Sequence, residues 1–499
     1  MNKRILSIFS ALLLALSVVF AVPFAREAAI AEEEWIVPEG YNEHDYNTIV
    51  AFLEQTNENG IKNGTLLNAD YDPNDPGSWG EDNNNPWNPH HRFSWEMFND
   101  EMRIAEIRIG MCNLNGELVL DACSYLCHLD CGNNSLDRIS VSDCNELQWL
   151  YCHSNYLTEL DVSSCLKLRV LWCENNNLGT LDLSNNAELI HLYFGNDPFG
   201  TSTAKNHIRE IDLSHNMKLE VISCDYMQMD SFSIPFCESL WMLGCRECGL
   251  NSIDVSNAPA LESLSANGNC LSAIDLSNNV QLRELALNNN NLTELDISNC
   301  SLLESLWCDN NRLSSLDVSH NTGLSTLNCS QNRINDLNLN DYVRNLYCTE
   351  NPLNSIDLSN CKNFQIDTIR TFGNGYVGCI VSIDDDSFVA ASTCQDNSNF
   401  EGWFNEEGDL LSTDEELDLS TFFETEKVFI AQFTDDETLI GDANGDGAVD
   451  TEDALLVLRA ALGIDGDPET LLEGCDMDEN GAIDTTDALL ILRLALGIS

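Results

Sequence analysis

Leucine returns along the middle of this chain at a fixed beat. From Leu126 the apolar positions recur every 21 residues, at Leu126, Leu147, Leu168 and Leu189, then at Leu219, Leu240, Leu261, Leu282, Leu303 and Leu324. Each unit reads Leu-x-x-Leu-x-Cys-x-x-Asn-x-Leu-x-x-Leu-Asp-Leu-Ser-x-Asn, as in residues 168–186 (LRVLWCENNNLGTLDLSNN). The Leu-x-Cys step alternates inward and outward positions and predicts a short strand. The asparagine at the ninth position predicts a turn whose backbone groups its amide satisfies. So short a unit cannot bury its own apolar edge, so the units must stack into a solenoid with one shared core and shielded ends. A nine-residue insertion after Asn196 (197–205) and a two-residue deletion near Leu346 interrupt the beat.

On either side the pattern changes. Residues 1–31 carry Lys3 and Arg4, an apolar run from Ile5 to Val22, Pro23, and Ala29-Ile30-Ala31, the form of a signal peptide with its cleavage site. An uncleaved anchor is the alternative, since the run approaches membrane-spanning length. Cleavage would leave nothing inserted in a membrane. No cysteine precedes Cys112, which excludes a lipid anchor, and the C-terminus has no apolar tail, so surface attachment is expected to go through another protein. Residues 32–103 are expected to cap the array, with a helix over 45–55 followed by irregular Pro-, Asn-, Gly- and Trp-rich chain. His90 and His91 lie in that tract without the spacing of metal ligands. Residues 104–363 form the solenoid. Residues 364–435 hold strand-like runs (GYVGCIVSI, NFEGWFNEEGDLLS, EKVFIAQF) and predict a small β module, in which Cys379 and Cys394 are available to pair although the spacing does not demand it.

Charge and cysteine alter the picture. The net charge of −59 disfavours phosphate backbones and anionic membranes, so no nucleic-acid partner is expected, while it suits cation binding outside the cell. The 21 cysteines would suggest a disulfide framework in an exported chain. Their positions argue otherwise. Cys131, Cys152, Cys173, Cys224, Cys245, Cys308, Cys329 and Cys348 share the sixth position with Phe194, Ala266 and Leu287. Cys123, Cys144, Cys165, Cys237, Cys300 and Cys361 share the nineteenth with Asn186, Asn279 and Asn321. Exchange with apolar residues marks the sixth position as a buried apolar slot, and since free cysteine packs as a small hydrophobe both ladders read as thiols, spaced too regularly to offer zinc a chelating cluster.

The fifth position faces outward and should line the concave surface. It carries Tyr151, Trp172 and Tyr193, then Ser223, Gly244, Ser265 and Ala286, then Trp307 and Tyr347, with Trp149, His153 and His191 on neighbouring outward positions. Aromatic rows on a rigid face suit a protein hot spot or a sugar-stacking platform; cross-strand packing that merely stabilises the sheet is the alternative.

Near the C-terminus two loops repeat 34 residues apart. Asp442, Asn444, Asp446, Ala448, Asp450 and Asp453 occupy loop positions 1, 3, 5, 7, 9 and 12, matched by Asp476, Asp478, Asn480, Ala482, Asp484 and Asp487, with Gly447 and Gly481 at position 6. This spacing supplies the oxygen-rich ring that calcium requires, so two calcium ions are expected. Only the exiting helices are evident, over 452–462 and 486–496, and position 12 is Asp rather than Glu.

Three resemblances follow. The 21-residue units resemble the nested bacterial subtype of the leucine-rich repeat, over about 260 residues. Phe400 to Trp403, Leu411 to Thr413 and Val428 to Phe433 resemble a divergent internalin-type B repeat, implying a β-grasp-like module. The duplicated half-hand resembles the type I dockerin, which implies calcium-dependent docking to a cohesin module of a scaffolding protein in a cellulosome-like complex. In that family, loop positions 10 and 11 and later helix positions read the partner; here they are Thr451, Glu452, Leu458 and Arg459, then Thr485, Thr486, Leu492 and Arg493. Their near-identity implies docking in two orientations, although Glu452 differs from Thr486, and Leu458 and Leu492 stand where a basic residue is often found. The expectation is a secreted, multidomain, non-catalytic recognition protein whose solenoid binds a protein or polysaccharide and whose dockerin fastens it to a scaffold. A host-binding adhesin and a polysaccharide-degrading component with an activity in 32–103 are the alternatives; no nucleophile motif, paired catalytic acids or phosphate loop favours an enzyme.

Overall fold

A computed structural model describes residues 35–80, 92–197, 203–359, 361, 368–372, 375–382, 387–394, 398–422, 425–435, 440–444, 449–464, 474–478, 480–496 and 498. The export segment, His90 and His91 lie outside the described residues, as do Asp446, Gly447 and Ala448.

The repeat builds a leucine-rich-repeat solenoid of stacked parallel strands. Each three-residue strand pairs with its equivalent one unit on, so that Trp149, Leu150 and Tyr151 face Val170, Leu171 and Trp172. The central leucine points inward, and Leu150, Leu171, Leu192, Leu285 and Leu306 are fully buried. The insertion does not break the ladder, because His191 simply pairs with Val221, 30 residues later. Nor does the deletion, where Thr326 pairs with Asn345.

Two internal ladders replace the hydrogen bonds that such short strands lack. At the ninth position, Asn176 Nδ2 donates to the Cys152 and Cys173 carbonyls at 3.0 and 3.1 Å while its Oδ1 accepts from Leu157 N. Asn206 takes that role after the insertion, donating to the Cys173 and Phe194 carbonyls. At the nineteenth position the side chain donates to a carbonyl of the preceding unit. Asn186 Nδ2 does so to Val162 and Cys165, and the Cys144 and Cys165 thiols do so to Leu120 and Val141. These cysteines therefore act as weak donors as well as apolar filler. All 21 cysteines are free thiols.

Both ends of the array are covered. At the first end, the hairpin Phe93–Phe98 and Glu101–Arg108 joins the sheet, and Glu106 pairs with His128 of the first repeat strand. Helix Glu43–Leu53 packs there through Tyr46, Ile49, Val50, Phe52 and Leu53. Asp45, wholly buried on that helix, is held by Arg103 Nε at 2.8 Å and by Ile104 N. At the other end, Gly375–Ser382 runs antiparallel to Asn345–Tyr347 and extends the same sheet through Ser387–Cys394 and Glu416–Asp418. A second sheet holds Ser355–Asp357, Thr368–Phe372, Val428–Asp435, Ser398–Phe404 and Leu410–Ser412 in that order.

Within 364–435 the strands are divided between two sheets, one of them the solenoid's own, and a 3-10 turn, Leu419–Phe422, follows Glu416–Asp418. Cys379 and Cys394 do not meet. Cys379 pairs across the strands with Ala390, its thiol is 3.5 Å from that of Cys348, and Cys394 is exposed opposite Gly375. One hydrophobic core runs from Tyr46 to Phe433, and the C-terminal helices form a second.

Candidate functional site

Two surfaces carry the chemistry. On the solenoid, the outward strand positions bring the sequence-selected rings together. Tyr151 and Trp172 have ring centroids 6.2 Å apart, and Trp172 and Tyr193 5.6 Å. His153 stacks on Trp172 at 4.1 Å, and His191 lies edge-on to Tyr193. Trp149 is joined through His128, which also packs on Tyr151. Burial pushes His128 and His153 down, so both rings are neutral at pH 7. Trp307 and Tyr347 stand apart, separated from this cluster by Ser223, Gly244, Ser265 and Ala286 and from each other by Asn328.

Seventh-position acids, which the sequence reading passed over, reach this face. Glu174 accepts from Trp172 Nε1 at 2.7 Å and from Ser223 Oγ at 3.2 Å. Ser223 lies two units on, and the intervening seventh position is Gly195, where a Cβ would meet the Asp225 backbone at 2.5 Å. Asp225 binds Arg246 Nε and Nη2 at 2.9 and 2.7 Å. No regular residue marks the seventh position, so only the strand alternation carried past the sixth-position cysteine could have found these groups.

The second surface is the loop pair. Helices Thr451–Ala461 and Thr485–Ala495 begin at Asp450 and Asp484, each closing a capping box with Asp453 or Asp487. The position-12 carboxylates are fully buried and knit their loops. Asp453 accepts from Ala443, Asn444 and Asp450 backbone N–H groups, and Asp487 from Met477 and Asp484. In the second loop, oxygens of Asp476, Asp478 and Asp487 lie within 4.8 Å of one another. Asn480 and Gly481 N–H groups orient Asp476, at 3.1 and 2.8 Å. Gly481 has φ +84, the left-handed conformation the sharp turn needs. Partial desolvation first, then the facing carboxylates of Asp487, Asp484 and Asp476, push the Asp478 carboxyl up. Hard oxygen donors gathered this closely fit a calcium ion and suit no soft metal. Asp442, Asn444 and Asp450 line the first loop.

Of the partner-reading positions, Thr451, Glu452, Arg459, Thr485, Thr486 and Arg493 are exposed, whereas Leu458 and Leu492 pack partly against the core between the two helices. Leu455 and Leu489, which the sequence reading did not single out, are equivalent residues 34 apart and are 53% and 54% exposed. A third acid-bearing cluster, His44, Asp45 and Cys123, is already satisfied, since His44 Nε2 contacts the Asp121 carbonyl and Asp45 pairs with Arg103.

Residues 440–494 match the family model of the dockerin type I domain, and this stretch of the chain is such a domain. Type I dockerins are calcium-binding modules whose partners are cohesins. No curated protein matches the chain. Among solved structures, an LRR protein of Leptospira interrogans is 20% identical over 51% of this chain and 69% of its own, with a TM-score of 0.44. The functional domain of InlJ from Listeria monocytogenes, described as including a cysteine ladder, is 20% identical over 68% of this chain and 94% of its own, with a TM-score of 0.35. The Listeria monocytogenes internalin InlF is 18% identical over 50% and 84%, with a TM-score of 0.36.

Proposed function

We propose that this chain is an exported, non-catalytic recognition component: its solenoid (104–363) holds a protein or polysaccharide target, and its dockerin domain (440–499) fastens it to a cohesin on a cellulosome-like scaffold. Residues 1–31 direct export in this reading, 32–103 cap the array, and 364–435 close its far end. The observation that carries it is the duplicated loop, in which oxygen-bearing side chains recur at the same positions 34 residues apart, in a stretch that matches the dockerin family. Two calcium ions would be held by Asp442, Asn444, Asp446, the Ala448 carbonyl, Asp450 and Asp453, and by Asp476, Asp478, Asn480, the Ala482 carbonyl, Asp484 and Asp487. A bound cation would offset the mutual repulsion of these carboxylates and so hold the loops in shape. Thr451, Glu452, Leu458 and Arg459, with Thr485, Thr486, Leu492 and Arg493, would then meet the cohesin, and exposed Leu455 and Leu489 would add apolar contact area.

The test is a calcium-dependent pull-down from the producing organism's secreted proteins, with circular dichroism of residues 440–499 beside it. Chelation is expected to abolish capture and unfold both helices; a spectrum unchanged by chelator would contradict the calcium-held loop. On the solenoid, Trp172→Ala with Tyr193→Ala should abolish target binding, and retention of every partner would retire the concave face as the recognition surface.

A further inference from the structure

The concave face carries a charge pattern that an aromatic platform alone does not require. Twice, a tryptophan at the fifth position is followed by a carboxylate at the seventh: Trp172 with Glu174, and Trp307 with Asp309. The two positions share one side of the sheet, as the 2.7 Å bond from Trp172 Nε1 to Glu174 shows. Burial pushes both carboxyls up, and neither forms an ion pair among the described residues. Between them the chain displays how this face holds a cation. Asp225, also at a seventh position, grips the Arg246 guanidinium, which lies 5.9 Å from the centroid of the Tyr226 ring. Here the chain's own arginine answers the carboxylate beside an aromatic ring.

We infer that Trp172–Glu174 and Trp307–Asp309 are two cation-reading pockets for an extended, arginine- or lysine-bearing polypeptide segment laid across the strands. The inference rests on the concave face being the recognition surface and names the ligand class it takes. Charge complementarity favours this occupant over a neutral glycan. The net charge is −59, and the guanidinium of Arg246 is already engaged. Each carboxylate oxygen of Glu174 accepts one bond and keeps a lone pair for an incoming N–H. Past Tyr193, which packs on Trp172, the fifth positions Ser223, Gly244, Ser265 and Ala286 form a low floor up to Trp307, which leaves room for a backbone. Trp172 and Trp307 stand six strands apart in the sheet. At ~4.8 Å per strand that is about 29 Å, the reach of roughly nine extended residues.

The experiment is calorimetric titration of the full chain with a nine-residue oligoarginine, a three-residue oligoarginine and a neutral β-glucan hexasaccharide. The nonamer is expected to bind about tenfold or more tighter than the trimer, because it spans both pockets. Glu174→Gln with Asp309→Asn should weaken the nonamer about tenfold or more, with an unchanged far-ultraviolet spectrum. Asp275→Asn with Asp296→Asn removes the same charge from exposed turns, where an amide oxygen keeps the turn bond, and should leave affinity within about twofold. Equal weakening by both pairs would reduce the binding to diffuse attraction and overturn the proposal. So would absence of peptide binding. Glycan binding lost in Trp172→Ala with Trp307→Ala but kept in the carboxylate variant would overturn the cationic ligand while leaving the recognition face intact.

Discussion

Asn311 makes four hydrogen bonds that strands of three residues cannot make for themselves. Its Nδ2 donates to the Leu287, Cys308 and Asp309 carbonyls at 2.9, 3.1 and 3.3 Å, and its Oδ1 accepts from Leu292 N at 3.0 Å. Asn311→Ala leaves those backbone groups buried and unpaired, so unfolding in urea should show a loss of about 2–3 kcal/mol. The nineteenth-position ladder behaves differently. Asn186 donates twice, but its buried Oδ1 has no partner, and at equivalent sites a thiol donates to a preceding carbonyl. The lost donor and the removed orphan oxygen offset each other, and Asn186→Cys should change stability by less than about 1 kcal/mol in the same assay. Such exchange explains why both residue types stand in one column. Burial pushes the Cys165, Cys237 and Cys300 thiols up to about 11, far from the thiolate that alkylating agents attack. Native-state alkylation followed by peptide mapping should therefore mark exposed Cys270 and Cys394 first and leave these ladder positions unlabelled.

At the scale of the element, the unit's Asp-x-Ser step is a turn in its own right. Asp182, Asp212, Asp254, Asp275 and Asp296 each accept the N–H of the serine two residues on, and these bonds hold their carboxyls below the usual range. A carboxyl depressed on folding contributes stability that is present above its unfolded value of about 3.9 and is lost as pH falls through the folded value. Glu174 and Asp309, the raised carboxyls on the solenoid, contribute in the opposite sense, but they are two against a repeated set. The urea midpoint should thus fall as the pH is lowered below about 4, and a midpoint unchanged there would refute the account. The units were legible in the sequence because each repeats one local pattern, and the loops because ligand spacing is local too. The junction was not. Pairing of Asn345–Tyr347 with Gly375–Ser382 joins strands about 30 residues apart through side chains with no common period, so strand-like runs were visible there but not their division between two sheets. Leu455 and Leu489 escaped for a related reason: both helices carry apolar residues on more than the buried stripe, and periodicity alone does not say which face is left open.

At the scale of the molecule, the described residues hold two hydrophobic cores, one continuous from the N-terminal helix to Phe433 and one confined to the loop helices. Stacked units stabilise one another only while both ends of the array are covered. The strand Asn345–Tyr347 would be the open edge if Gly375–Ser382 were absent, offering unpaired N–H and carbonyl groups to another chain. Leu353 and Ile356, now buried at the junction, would add exposed apolar area to that edge. Ending the chain after residue 363 should therefore give a protein that self-associates and unfolds at lower temperature than the parent. Ending it after residue 439 removes only the second core and should leave a monomer with the parent's main transition. Light scattering after size exclusion, with calorimetry on both truncations, separates the two. Equal behaviour would mean that the last repeat closes the solenoid by itself, and that the sheet continued through residues 375–418 adds nothing to its stability.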